Sequence, residues 1–119
     1  MNDRPDKWVV IKISKEDDPI YPIYKLFSTW LGGYLDGDAW KMNSGIVSVE
    51  PKGDYLQFFG HSGSCYECPP SEHTYGTNSY TQGVLNGIIE KGTAAGYSLE
   101  VLPPDTDWLN LIEKEDEKI

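Results

Sequence analysis

The chain has 119 residues, of which 39% are apolar, and its 19 acidic and 10 basic residues give a formal net charge of −9. This length predicts one domain over residues 1–119, with residues 113–119 as a loose acidic tail. The acidic balance and the single arginine, Arg4, argue against binding to nucleic acid phosphates. No apolar run approaches the ~20 residues of a membrane span, and the first residues lack a signal-peptide pattern. We therefore expect a cytoplasmic protein that binds neither nucleic acid nor membranes.

β-Branched and aromatic residues, separated by Gly- and Pro-containing turns, predict a series of five to six strands. The strand at 40–50 contains Gly45, where we expect a bulge or a close approach of another backbone. A hairpin turn is predicted over 51–54. The six strand segments are 7–14, 23–30, 40–50, 55–60, 65–68 and 97–102.

Helical spacing begins near Tyr80, where four aliphatic residues fall on one face: Val84, Leu85, Ile88 and Ile89. Asn78 or Ser79 is the expected N-cap, and the helix should end near Gly92 or Gly96. A short second helix is predicted over 107–117. The fold class is therefore α+β, a mainly antiparallel twisted sheet of five to six strands with one principal helix on one face and a short C-terminal helix. The other sheet face should be partly open, covered by the C-terminal segment or buried in an oligomer.

Both histidines and both cysteines lie within thirteen residues, which is the densest group of metal-binding side chains in the chain. His61, Cys65, Cys68 and His73 together supply a possible zinc ligand set. If 65–68 is a strand, however, its two thiols face opposite sides of the sheet. We expect no cofactor, and a small zinc-stabilised domain stays open as an alternative.

Catalytic motifs are weak in this sequence. Ser62 and Ser64 flank a glycine beside His61, but the Gly-x-Ser-x-Gly elbow of serine hydrolases is absent. The chain also has neither a Walker motif nor Gly-x-Gly-x-x-Gly. The sequence therefore predicts a protein that is not an enzyme.

The stretch 30–81 is rich in Gly, Ser, Thr, Asn, Tyr and Trp, a composition typical of a recognition surface. We expect amides and hydroxyls at 60–64 and at the helix N-terminus to hold a phosphate, while Trp30, Trp40 or Tyr75 stacks on a base. The alternative is that Asn78 or Ser79 only caps the helix and the tryptophans belong to the core. The predicted ligand-binding residues are Trp30, Trp40, Asn43, Ser44, His61, Ser62, Ser64, Tyr75, Thr77 and Asn78.

The runs 27–46, 60–66 and 75–80 carry a resemblance to known proteins. They include Trp-Leu-Gly-Gly-Tyr from Trp30, Asn-Ser-Gly-Ile from Asn43, Gly-His-Ser-Gly-Ser from Gly60 and Tyr-Gly from Tyr75. In these runs the chain resembles a family of small tailed-bacteriophage proteins with no established activity. The resemblance implies a phage accessory protein that acts in the cytoplasm of a bacterial host. Such proteins are often counter-defence factors that trap a nucleotide signal or block a host protein.

Two functional hypotheses follow. The first is a non-catalytic protein that binds and sequesters a small nucleotide-like molecule, in keeping with the composition of 30–81. The second is an acidic interaction protein that binds and inhibits a host protein, in keeping with the acidic residues concentrated after Val84. The large aromatic residues exceed what one helix over one sheet can cover, which predicts a homo-oligomer. These residues are Trp8, Trp30, Trp40, Trp108, Phe58 and Phe59.

Overall fold

A computed structural model describes residues 4–33, 37–70, 79–103 and 105–112, and they confirm the α+β class. These residues form seven strands, one α-helix and a 3-10 turn at Trp108–Asn110. In chain order the elements are β1 Lys7–Ser14, β2 Ile23–Gly33, β3 Gly37–Met42, β4 Ile46–Lys52, β5 Tyr55–Gly60, β6 Cys65–Cys68, α1 Ser79–Ala94 and β7 Ser98–Val101. No helix in these ranges is long and apolar enough to cross a bilayer.

The strands pair antiparallel, as expected, but they divide between two sheets. The four-stranded sheet has the order β3-β2-β1-β7, and the three-stranded sheet has the order β4-β5-β6. β4 and β5 are joined by a two-residue turn in which Gly53 has a φ of +57°. Glycine at the first position of such a turn matches the type II′ geometry that suits the right-handed twist of a hairpin.

The chain changes sheets inside the segment 40–50, which the sequence predicts as one strand. β3 ends at Met42 because Asn43 closes the pairing with β2: its N–H donates to the carbonyl of Leu26 at 3.0 Å. The side-chain Oδ1 of Asn43 accepts the N–H of Leu26 at 2.8 Å. Gly45 then adopts a φ of +142°, which redirects the backbone into β4. The expected bulge is thus a crossing point between sheets.

Helix α1 covers one face of the four-stranded sheet, as the apolar spacing predicts. Leu85 is fully buried against Val9, Ile11 and Phe27, with the other predicted aliphatics of the helix around it. The helix ends at Ala94, and Gly96, with a φ of +96°, turns the chain towards β7. Each fully buried aliphatic side chain contributes about 1.5–3 kcal/mol of transfer free energy.

The three-stranded sheet covers the opposite face. Trp8 of β1 lies between Phe58 of β5 and Trp108 of the C-terminal turn, with ring centroids 5.2 Å from each. Most of the aromatic surface behind the expectation of an oligomer is therefore buried within one chain. The homo-oligomer remains a prediction, but an exposed aromatic surface no longer supports it. The predicted helix at 107–117 is a 3-10 turn over Trp108–Asn110, and residues 113–119 lie outside the described ranges.

The N-terminal segment closes one end of this two-sheet sandwich. The carbonyl of Arg4 accepts the indole N–H of Trp30, and its side-chain Nε donates to Glu67 at 2.8 Å. Lys52 and Gln57 donate to the other oxygen of Glu67 at 3.0 and 3.1 Å. These contacts join β2 to the hairpin end of the three-stranded sheet.

Candidate ligand-binding site

A groove of about 510 Å³ opens at the other end of the sandwich. It lies between the loop that precedes β2, the start of β4 and the turn that follows β5. The volume is within the ~300–1,000 Å³ of typical ligand pockets. The groove is lined by Pro19, Ile20, Tyr21, Pro22, Ile23, Tyr24, Ser44, Gly45, Ile46, Val47, His61, Leu111 and Ile112.

One wall is a tight loop that Asp18 stabilises. Its carboxylate accepts the N–H of Ile20 at 3.2 Å, and its carbonyl accepts the N–H of Tyr21 at 3.2 Å. The Tyr21 ring packs edge-on against Tyr97, with centroids 5.6 Å apart. A hydrogen bond with Tyr97 raises the pKa of Tyr21 above its usual value, so the phenol stays neutral at physiological pH. This wall is therefore organised before any ligand arrives.

The second wall joins the sheet-crossing segment to the turn after β5. The N–H of His61 donates to the carbonyl of Gly45 at 2.7 Å, and the N–H of Ser62 donates to Ser44 Oγ at 3.1 Å. The Ser44 hydroxyl accepts this bond and still has its own hydrogen to donate. The exposed imidazole of His61 and the Ser44 hydroxyl thus become two polar groups of the groove.

The rest of the groove is apolar. Ile46 and Tyr24 belong to the core between the sheets, where Leu111 and Ile112 pack against the same cluster. At the rim, Ile20 and Val47 are 69% and 47% exposed, so these aliphatic side chains are accessible from solvent. The site therefore combines aromatic and aliphatic surface with a few polar groups.

Ser44 and His61 are the two predicted binding residues that line the groove. Asn43 is buried beside it, and its Nδ2 has no hydrogen-bond partner in the part of the chain that the structure describes. Ser62 and Ser64 lie in the adjoining turn, where a Cβ on Gly60 would come within 2.7 Å of Ser64 Oγ. The sequence also predicts Tyr75, Thr77 and Asn78, which lie outside the described residues.

The two predicted stacking tryptophans are not brought together. Trp30 packs on the core between the sheets, at the end closed by Arg4. Trp40 lies on the helix-facing side of the four-stranded sheet, stacked on Phe27 with centroids 5.6 Å apart and an angle of 22°. Neither residue lines the groove.

The cysteines lie in β6, where strand alternation directs their side chains to opposite faces. Cys68 is fully buried, and burial, followed by the neighbouring Cys65, raises the pKa of its thiol. His61 is at the groove, and His73 lies outside the described ranges. Across the ranges that the structure describes, no three His, Cys, Asp or Glu side chains are grouped so that they could hold a metal.

Sequence reasoning missed the aromatic residues of the groove, Tyr21 and Tyr24. The sequence feature that contains them is a repeated Pro-Ile-Tyr triplet at 19–24, and its prolines predict only a turn before a strand. Sequence reasoning also missed that Glu67 is a buried ion-pair partner. A carboxylate in a short strand between two cysteines gives no indication that Arg4 and Lys52, which are distant in sequence, contact it.

Comparisons of the chain with protein-family models, with curated proteins and with solved structures find no match.

Proposed function

We propose that this protein binds a small nucleotide-like molecule in the groove and sequesters it without chemical change. The observation that carries the proposal is the groove itself, in which the tyrosine and aliphatic walls flank two hydrogen-bonding side chains, Ser44 and His61. Such a site suits a planar heteroaromatic ring. The aromatic and apolar side chains contact the faces of the ring, and the hydroxyl and imidazole groups form hydrogen bonds with its edge. The proposal keeps the predicted ligand class and moves the site away from Trp30 and Trp40.

Catalysis is not part of the proposal, for a chemical reason. General acid–base or nucleophilic catalysis needs an activated group and a partner that orients it. The described lining contains His61 and Ser44 but no carboxylate, lysine or thiol. Ser44 Oγ also accepts a backbone N–H, a role that stabilises the turn.

The biological setting that we propose follows from the resemblance to small tailed-phage proteins. A phage protein that removes a nucleotide signal from the host cytoplasm would counter a defence that depends on this signal. Sequestration needs only affinity and abundance, in keeping with a small chain that carries a binding groove.

Thermal unfolding with nucleosides and nucleotides as added ligands tests the proposal, because a ligand that binds only the folded state raises Tm. Ile20→Asp places a charge on the apolar rim and should reduce the ligand-dependent rise in Tm. Leu109→Asp is the matched control, since Leu109 is 49% exposed and does not line the groove. Trp40→Ala should also retain binding. Mass spectrometry after incubation should recover the ligand unchanged.

A Tm that no nucleoside or nucleotide raises at ~1 mM would contradict the proposed function, because saturation even at a Kd near 0.1 mM gives a measurable rise. Equal losses in Ile20→Asp and Leu109→Asp would place the binding site elsewhere. Recovery of a chemically altered ligand would show that the protein is an enzyme.

A further inference from the structure

The groove offers a ligand no fixed positive charge. Lys and Arg are absent from its described lining, and the whole chain carries a net charge of −9. Phosphate groups bound by proteins are usually met by Arg, Lys or several free N–H groups. Moving a phosphate from water to this apolar site without such partners is unfavourable. The overall negative field adds to this effect at low salt.

The backbone N–H groups of the first three residues of the turn after β5 are also engaged within the protein. The sequence suggested this turn as a phosphate cradle, which requires donors that point towards the ligand. In the structure, the N–H groups of the last residue of β5 and of the first three turn residues donate to protein oxygens, with distances of 2.7–3.1 Å. The bonds run from Gly60 to Ser64, from His61 to Gly45, from Ser62 to Ser44 and from Gly63 to Gly60.

The opposite wall has the same property. Pro19 and Pro22 have no N–H to donate. The N–H groups of Ile20 and Tyr21 donate to Asp18. These N–H groups of the two walls are therefore not available to an anion, although both walls present apolar and aromatic surface.

We infer that the groove recognises the uncharged heteroaromatic ring of its ligand, a nucleobase or nucleoside, and leaves any phosphate in solvent. The inference rests on the proposed function and specifies the chemical class that this site takes. The Ser44 hydroxyl and the His61 imidazole pair with the edge of the ring, and Tyr21 and Tyr24 contact its surface. A phosphate attached to the sugar gains no partner in the groove.

Calorimetric titration of the protein tests this inference. The ligands are adenosine, guanosine, cytidine and uridine, the 5′-monophosphate of each, and inorganic phosphate alone. At least one nucleoside should bind, and its monophosphate should bind no more than about threefold tighter, which is under 1 kcal/mol. Raising the salt from about 50 to 300 mM should leave the nucleoside affinity unchanged, since no ion pair is formed.

His61→Ala provides a second readout, with the nucleoside and its monophosphate titrated under the same conditions. Because His61 faces the ring, the substitution should weaken the nucleoside and its monophosphate by the same factor. A loss confined to the monophosphate would show that His61 holds a phosphate, and the inference would then be wrong.

The outcomes separate the inference from the function on which it rests. A monophosphate that binds more than about threefold tighter than its nucleoside, or inorganic phosphate that competes with it, overturns the inference and leaves the proposed function intact. If neither nucleosides nor monophosphates bind, both are overturned. Comparable binding of both forms, insensitive to salt, supports both.

Discussion

The carboxylate of Glu67 is buried, whereas Arg4 and Lys52, which form ion pairs with it, remain largely in water. The side chain of Glu67 is 1% exposed, and those of Arg4 and Lys52 are 61% and 58% exposed. A buried charge is costly unless it is paired, while a cation at the surface is readily solvated when its partner is removed. The two sides of this ion pair network should therefore differ in their response to substitution.

We predict that the combined variant Arg4→Ala, Lys52→Ala is less stable than the sum of the single variants indicates. Either cation alone still neutralises Glu67, but their joint loss leaves a buried carboxylate with neither. Glu67→Gln should lower Tm less than the combined variant does, because both cations then return to water. Thermal unfolding of all four variants measures this, and a larger loss in Glu67→Gln would contradict it.

Cys68 is a second residue whose surroundings determine its chemistry. Burial raises the pKa of its thiol, so the folded protein at pH 8 keeps the proton, and the reactive thiolate is scarce. In a Cys65→Ser variant, Cys68 is the single thiol of the chain. We predict that it reacts with a chromogenic disulfide reagent within minutes in urea but remains unmodified over the same period in the folded state. Rapid modification of the folded variant would show that Cys68 is accessible.

At the scale of elements, the decisive feature is the crossing between β3 and β4. At the end of β3, the side chain of Asn43 takes over a bond of the strand ladder. Its Oδ1 accepts the N–H of Leu26, which is fully buried, in place of a backbone carbonyl. The crossing lets one continuous run of sequence contribute to both sheets. It also places Ser44 and Gly45 at the groove.

Asn43→Ala should lower the free energy of unfolding by about 1–3 kcal/mol, because it leaves the buried N–H of Leu26 without an acceptor. Asn110→Ala is the matched control. Its amide contacts Asp107 on the surface, where water can replace the bond, so a change below about 1 kcal/mol is expected. Urea unfolding measures the free energy of unfolding of both variants. Similar losses would show that the buried Asn43 bond stabilises the fold no more than the exposed Asn110 bond does.

Local patterns in the sequence predict the elements better than they predict how those elements assemble. The strand at 7–14 and the apolar face of α1 depend on spacing between near neighbours, and both are confirmed. The division into two sheets depends on a bond between residues 17 apart, Asn43 and Leu26, which periodicity does not encode. For the same reason alternation within 40–50 could not indicate which sheet face would carry Trp40.

The candidate site was only partly predictable. Ser44 and His61 were accessible to sequence reasoning because Gly- and Ser-rich turns commonly present polar groups to ligands. Tyr21 and Tyr24 were not, since their role depends on a loop that meets the start of β4 only in the folded chain.

For the whole molecule, the main contrast is between the two ends of the sandwich. Arg4 and Glu67 close one end, and the groove opens the other. Because the Trp8, Phe58 and Trp108 rings fill the space between the sheets, the fold needs no partner to cover them. Sedimentation measures the oligomeric state directly: a species near twice the 13.4 kDa chain mass supports a homodimer, and one near the chain mass contradicts it.

The most direct test of the central claim is an amide NMR titration of the isotope-labelled protein with the nucleoside that most raises Tm. We predict that the shift changes concentrate at the groove, with the largest at Tyr21, Ser44 and His61. Amides around Trp40, on the helix-facing side of the four-stranded sheet, should stay unchanged. Changes that concentrate near Trp40 and leave the groove amides unaffected would contradict the account.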